Sequence, residues 1–171
     1  MNLWSEPTRS LRLRWGRYVP RYVVGLCAIL LGIGATNLTS TYSLWFLLIG
    51  PVVQMIGWLS LPAALWRRLV VVLPCMIAGL VPVAGPDFVG AFAALLAAWL
   101  VVRHRPFLSY LAVSAPIAAS VVAKISLHEY TQTAIAFFFC AGVSVVAAWF
   151  ARQLAQWHDE RRVARLTARQ R

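Results

Sequence analysis

Six runs of apolar residues, each closed by a short polar or turn-forming group, account for most of this chain. The first goes from Tyr22 to Leu38 and ends in Asn37-Leu38-Thr39-Ser40-Thr41; the second goes from Tyr42 to Trp66 and stops at Arg67-Arg68. A third, Leu69 to Ala84, turns at Gly85-Pro86-Asp87, and a fourth, Phe88 to Val102, meets Arg103-His104-Arg105-Pro106. The fifth covers Phe107 to Leu127 before His128-Glu129-Tyr130, and the last runs from Thr131 to Ala151 and meets Arg152. Runs of about 20 apolar residues match the thickness of a bilayer's hydrocarbon core. The pattern therefore predicts an all-α polytopic membrane protein, a compact bundle of six transmembrane helices. A basic segment (1–21) precedes the six-helix domain (22–151), and a basic helical tail (152–171) follows it. Runs three and four are short, and at 1.5 Å rise per residue they reach only about 24 Å. They need a thin bilayer or helix ends shielded by neighbouring protein. A re-entrant hairpin made of the two would leave the flanking arginines on the same side.

Composition agrees with lipid as the solvent. The chain of 171 residues is 61% hydrophobic and 12% charged, where soluble domains carry roughly a quarter charged residues. Little length remains for a soluble catalytic module. The long charged stretch before the first run, with five more runs after it, argues against a cleaved signal peptide. The three cysteines, Cys27, Cys75 and Cys140, fall singly in different runs, which gives neither a metal site nor a redox pair.

Charge then supplies orientation. All fifteen arginines fall in the N-terminal segment, the second-to-third connection, the fourth-to-fifth connection or the tail, and the one lysine, Lys124, lies near the opposite face. With Glu6, Asp159 and Glu160 the arginine side carries +12, and Lys124, Asp87 and Glu129 leave the other side at −1, matching the formal +11. Cytoplasmic loops are enriched in Lys and Arg, so both termini are expected in the cytoplasm. Arginine in place of lysine, with abundant alanine, suggests a high-GC bacterial genome and a plasma (inner) membrane location. Trp45, Trp66, Trp99, Trp149 and Trp157 lie near run ends, where amphipathic rings favour the interface, while Trp58 lies deeper.

Few groups inside the runs carry chemistry. Gln54 sits near the middle of the second run, one turn after Gly50-Pro51, where proline predicts a kink or break. Its amide suits the backbone freed there, a neighbouring helix or a ligand. Pro116 stands at a comparable depth in the fifth run, and broken helices at matching positions of inverted repeats mark the central site of some transporters. Ser120, Lys124 and His128 are four apart on one face. With Glu129 and Asp87 they form the candidate polar cavity, suited to an anionic or zwitterionic group. Snorkelling of Lys124 to the headgroups is the plainer reading, and Asp87 also suits the first turn of the fourth helix. Ala136, Cys140, Ser144 and Ala148 form a small-residue packing face on the sixth run, for the bundle itself or for a partner. Ala28, Gly32 and Thr36, and Gly90, Ala94 and Ala98, are shorter versions.

The basic ends alternate arginine with apolar and aromatic residues. Arg9, Arg12, Arg14 and Arg17 before the bundle, and Arg161, Arg165 and Arg169 after it, suit anionic headgroups or an acidic protein partner. No folded surface presents them to nucleic acid. No catalytic set, metal site or cofactor motif can be assembled, and His128-Glu129 lacks a second histidine at helical spacing. In span count and size the chain resembles the membrane-embedded substrate-capturing subunits of energy-coupled vitamin transporters, a likeness of architecture with no shared motif. Two functions are expected: a non-enzymatic accessory or scaffold subunit of a larger membrane complex, with a protein partner or second copy, or a small-solute transporter or substrate-binding subunit.

Overall fold

The computed structural model describes residues 8, 17–40, 42–127 and 129–169, without the side chains of residues 130 and 162–169. Among the described residues six α-helices succeed one another: α1 (Tyr18–Asn37), α2 (Phe46–Ser60), α3 (Leu65–Leu80), α4 (Ala91–Val102), α5 (Ser114–Ser126) and α6 (Thr133–Arg169). Among the described residues there is no strand. Four segments of the described residues are long and apolar enough to cross a membrane: Tyr18–Asn37, Leu65–Ala84, Phe107–Ser126 and Thr133–Arg161. Phe46–Ser60 and Pro86–Val102 are apolar but shorter.

The short helices are therefore the second and fourth, where the apolar runs predicted the third and fourth. Pro62 is the reason. A proline disfavours helical geometry in the residue before it, and Leu61 is extended at φ −57°, ψ 141°. Helix α2 ends at Ser60, so Trp66, Arg67 and Arg68 become the first turn of α3 rather than a loop. Helix α1 begins four residues earlier than expected, at Tyr18, and α6 continues unbroken through residue 151 to Arg169.

Proline also shapes the fifth segment. In a continuous α-helix the ring of Pro116 would strike the carbonyl of Ala112 four residues back. Residues Phe107–Val113 are instead a 3-10 helix, and α-helical geometry begins at Ser114. Pro51, by contrast, sits inside an α2 that continues past it. At the far end of α3, 3-10 turns Val81–Ala84 and Pro86–Phe88 are joined by Gly85, whose φ of 134° suits glycine.

Helix α4 is apolar on every side, the signature of a helix enclosed by others. Phe92, Leu95, Leu96, Ala98, Leu100 and Val102 are all buried. Its 12 residues reach about 18 Å, and its ends are covered by neighbouring protein. Phe92 meets Phe137 of α6 edge-on, with ring centres 5.0 Å apart.

The closest packing joins α1 to α2, which run antiparallel. Gly25 lies opposite Gly57 and Gly32 opposite Gly50, each pair spaced seven residues from the next along its own helix. A Cβ on Gly32 would lie 2.4 Å from the backbone nitrogen of Gln54, and one on Gly57 would lie 2.6 Å from that of Ile29. Backbone thus touches backbone, the arrangement that lets membrane helices associate without a hydrophobic drive.

The small-residue face of α6 turns inward as well, with a shift. Ala136 and Cys140 are fully buried, but Ser144 and Ala148 are only half-buried. Burial passes instead to Ala147, Ala151 and Ala155. A four-residue step advances about 40° beyond a full helical turn, so a strict i+4 stripe rotates off a facing surface after two steps.

Candidate functional site

Three places collect the polar residues of the bundle. The first is the junction of α1, α2 and α3. Gln54 is 0% exposed there, and its Nε2 donates to the carbonyl of Cys75 on α3 at 2.7 Å. Its Oε1 is buried without a donor. Glycine makes the slot: a Cβ on Gly79 would stand 2.3 Å from Oε1, and Gly32 presses on the backbone side. Gly50 and Pro51, one turn earlier, are buried against α1, where Thr36 Oγ1 donates to Gly32 O at 2.8 Å. Gln54 thus ties α2 to α3. A buried unsatisfied oxygen costs about 1–3 kcal/mol.

The second place is the end carrying Asp87, Ser120, Lys124 and Glu129. The turn holding Asp87 packs against α5, and Ser120 Oγ lies 3.4 Å from where a Cβ on Gly90 would be. The groups nonetheless face outward or bond locally. Ser120 Oγ donates to Ile117 O at 2.7 Å, and Thr131 Oγ1 donates to Glu129 Oε2 at 3.2 Å. Lys124 and Asp87 are exposed. His128 lies outside the described residues. Among the described residues, no three of His, Cys, Asp and Glu come together as a metal-binding group.

The third place is the opposite end, where the sequence offered arginines only as markers of orientation. Arg21, at the start of α1, donates through Nε to Ser60 O at 3.1 Å and through Nη2 to Leu61 O at 3.4 Å. Arg68 Nη1 donates to Leu59 O. Two guanidinium groups therefore cap the carbonyls left at the C-terminus of α2, where the helix dipole favours cations. Arg67 Nη1 does the same for α4 through Val101 O at 2.9 Å. Arg103 donates to Tyr18 Oη at 2.6 Å and lies over the rings of Tyr22 and Trp99, 4.8 and 5.6 Å from their centres. Such stacking is worth about 0.5–2 kcal/mol. Ser109 Oγ donates to Ala151 O at 3.0 Å, which brings α6 to this same end.

His104 closes α4 in a conformation usually reserved for glycine. Its φ is 54°. His104 N donates to Val101 O at 3.2 Å and Arg105 N to Leu100 O at 3.1 Å, the paired bonds of a Schellman cap. A side chain in that conformation costs about 1–2 kcal/mol. Burial, and then the charge of Arg67, hold the imidazole's pKa below its ordinary value. Its Nε2 is buried without a partner, as are the Nε atoms of Arg67 and Arg68. Trp58, 2% exposed, also keeps an unpartnered Nε1.

Of the basic ends, Arg17 is exposed, and Arg161 lies 3.4 Å above the Trp157 ring. Arg9, Arg12 and Arg14, and the side chains of Arg165 and Arg169, lie outside the described residues. A groove of about 560 Å³ runs along the α5–α6 face, lined by Ala112, Ala115, Phe138, Gly142, Val146 and Phe150 among others. Gly142 forms part of it, and a Cβ there would meet nothing within 4 Å.

The sequence signal for the arginine end was present but silent about contacts. Trp66, Trp99, Tyr18 and Tyr22 accompany the arginines, and no acid occurs in those stretches. Comparison with protein-family models, curated proteins and solved structures gave no match.

Proposed function

We propose that this chain is a non-enzymatic multi-pass subunit of a larger membrane complex, seated in a plasma membrane with its arginine-bearing end in the cytoplasm. One contrast carries the reading. Gln54, a fully buried polar side chain of the bundle's interior, is closed in by helix contacts and bonded to Cys75, while the apolar α5–α6 groove stands open outward. The occupant that fits is a transmembrane helix of a partner protein. Gly142 lets a backbone approach closely, by the same physics as the α1–α2 seam. The one-sided charge pattern supports both termini on the cytoplasmic side, and two shorter apolar helices beside the four long ones are compatible with six crossings.

The test is purification in mild detergent with mass spectrometry of bound proteins and small molecules, on the natural chain and on Gly142→Trp. A stoichiometric membrane protein retained by the first and lost by the second supports the scaffold. A monomer that retains a small solute instead favours the transport reading. The feature behind that second reading is Gln54 Oε1, an acceptor buried without a donor. An epitope or cysteine-accessibility scan placing either terminus outside would reverse the orientation.

A further inference from the structure

Arg67 and Arg68 at the bundle end are held by backbone carbonyls, and among the described residues no carboxylate is bonded to either. Asp87 and Glu129 stand at the opposite end, in the α3–α4 and α5–α6 connections. Asp159 and Glu160 are exposed on α6, two turns beyond Ala151. Arg67 and Arg68 occupy the first turn of α3, where the helix dipole by itself disfavours cations. Each gives one terminal nitrogen to a carbonyl and keeps a buried Nε without a partner. The backbone adds to the excess of donors. The residue before α3 is Ala64, with no side-chain cap, so the first N–H groups of the helix are left open. Across from them, His104 holds a strained turn in place and keeps a buried ring nitrogen unpartnered. Unpaired donors, guanidinium forks and an uncapped helix N-terminus share one complement, an oxyanion with several acceptor oxygens.

We propose that the first turn of α3 and the α4–α5 turn form a binding site for a phosphate-bearing group. Arg67 and Arg68 are its fork donors, and His104 is a supporting contact. Arginine rather than lysine suits this, because its planar fork meets two phosphate oxygens at once. The position at a bundle end admits two sources, the headgroup of an anionic lipid and a free phosphate from solution.

Thermal unfolding and native mass spectrometry of the full chain in a neutral detergent separate these. One arm adds phosphatidylglycerol or phosphatidylcholine at equal mole fraction. The other adds inorganic phosphate or chloride at equal ionic strength. Stabilisation and retained mass from phosphatidylglycerol alone assign the headgroup; stabilisation by inorganic phosphate assigns a soluble ligand. In either case the Arg67→Gln, Arg68→Gln pair lowers retention by roughly tenfold. No preference in either arm, or a preference that survives the paired substitution, overturns the proposal. Where the glutamine pair fails to fold, Arg67→Lys with Arg68→Lys keeps the charge and removes the forks. That pair is expected to lose more than half of the preference, and an unchanged preference overturns the proposal equally.

Discussion

The α1–α2 seam and the α5–α6 face both carry glycine, yet the same residue type does opposite work in them. In the seam, glycine is absent volume: Gly32 and Gly50 stand where two backbones touch, and no Cβ fits. On the α5–α6 face, Gly142 borders open space and nothing within 4 Å needs its smallness. Glycine in a helix interior costs about 0.5–1 kcal/mol relative to alanine. In the seam that cost is offset by close packing; at Gly142 the bundle itself gives no return. The difference separates a contact completed within the chain from a face that stands open at its surface.

The largest expected effect breaks the seam. Gly32→Ala puts a methyl 2.4 Å from Gln54 N and 2.6 Å from Gly50 O, and rigid backbone cannot give way as a flexible side chain would. A loss of about 3 kcal/mol is expected, read as a lowered midpoint in denaturing detergent. An unchanged midpoint would mean the two helices are not in contact. Next comes Gln54→Ala, which removes the bond to Cys75 and leaves a void at a fully buried site. It is expected to cost about 2 kcal/mol. Gln54→Leu keeps the volume and removes an unsatisfied oxygen, so its cost is expected to be about 1 kcal/mol or less. The ratio of the two separates packing from hydrogen bonding.

His104 sharpens the comparison from the other direction, as a side chain standing where glycine would relax the turn. His104→Gly is expected to stabilise the fold by about 1 kcal/mol in thermal unfolding. The fold holds the imidazole's pKa below its ordinary value, so the unfolded chain takes up the proton first as pH falls. The corresponding stability is complete above about pH 6.5 and is lost progressively between there and the lower folded value. Unfolding midpoints measured across that window should fall in the natural chain and flatten in His104→Gly. The smallest effect belongs to Gly142→Ala, a gain of about 0.5 kcal/mol from helix propensity. A loss in the isolated protein would mean the face is already filled.

How much of this was legible in the sequence depended on whether a local rule decided it. The apolar runs and the one-sided arginines follow from composition along the chain, and the six helices correspond to them. The end of α2 was also written locally, in Pro62, but the hydrophobic run continued past it to Trp66 and masked the break. The seven-residue spacing of Gly25 with Gly32 and of Gly50 with Gly57 is visible in the chain. Their facing positions appear only once an antiparallel register is fixed, and register is a tertiary property. For Gln54 the sequence narrowed the partner to backbone, neighbouring helix or ligand, and the fold chose a carbonyl of α3. Asp87, Ser120, Lys124 and Glu129 lie toward one end of the bundle, exposed or bonded locally, and no enclosed cavity gathers them among the described residues. At the arginine end the residues were plain but their acceptors were not, because those carbonyls belong to helix ends remote in sequence.

The unbroken course of α6 has a mechanical consequence. Its 37 residues from Thr133 to Arg169 form a rod about 55 Å long, and beyond Gly142 the sequence places neither glycine nor proline in it. A bilayer's hydrocarbon core takes up about 30 Å of such a rod, leaving a stiff lever of some 25 Å projecting from the arginine-bearing end. Without a hinge, torque applied to the lever is carried along the axis to Phe138, Gly142 and Val146. A rotation of the tail about the helix axis would therefore turn the lining of the α5–α6 groove with it.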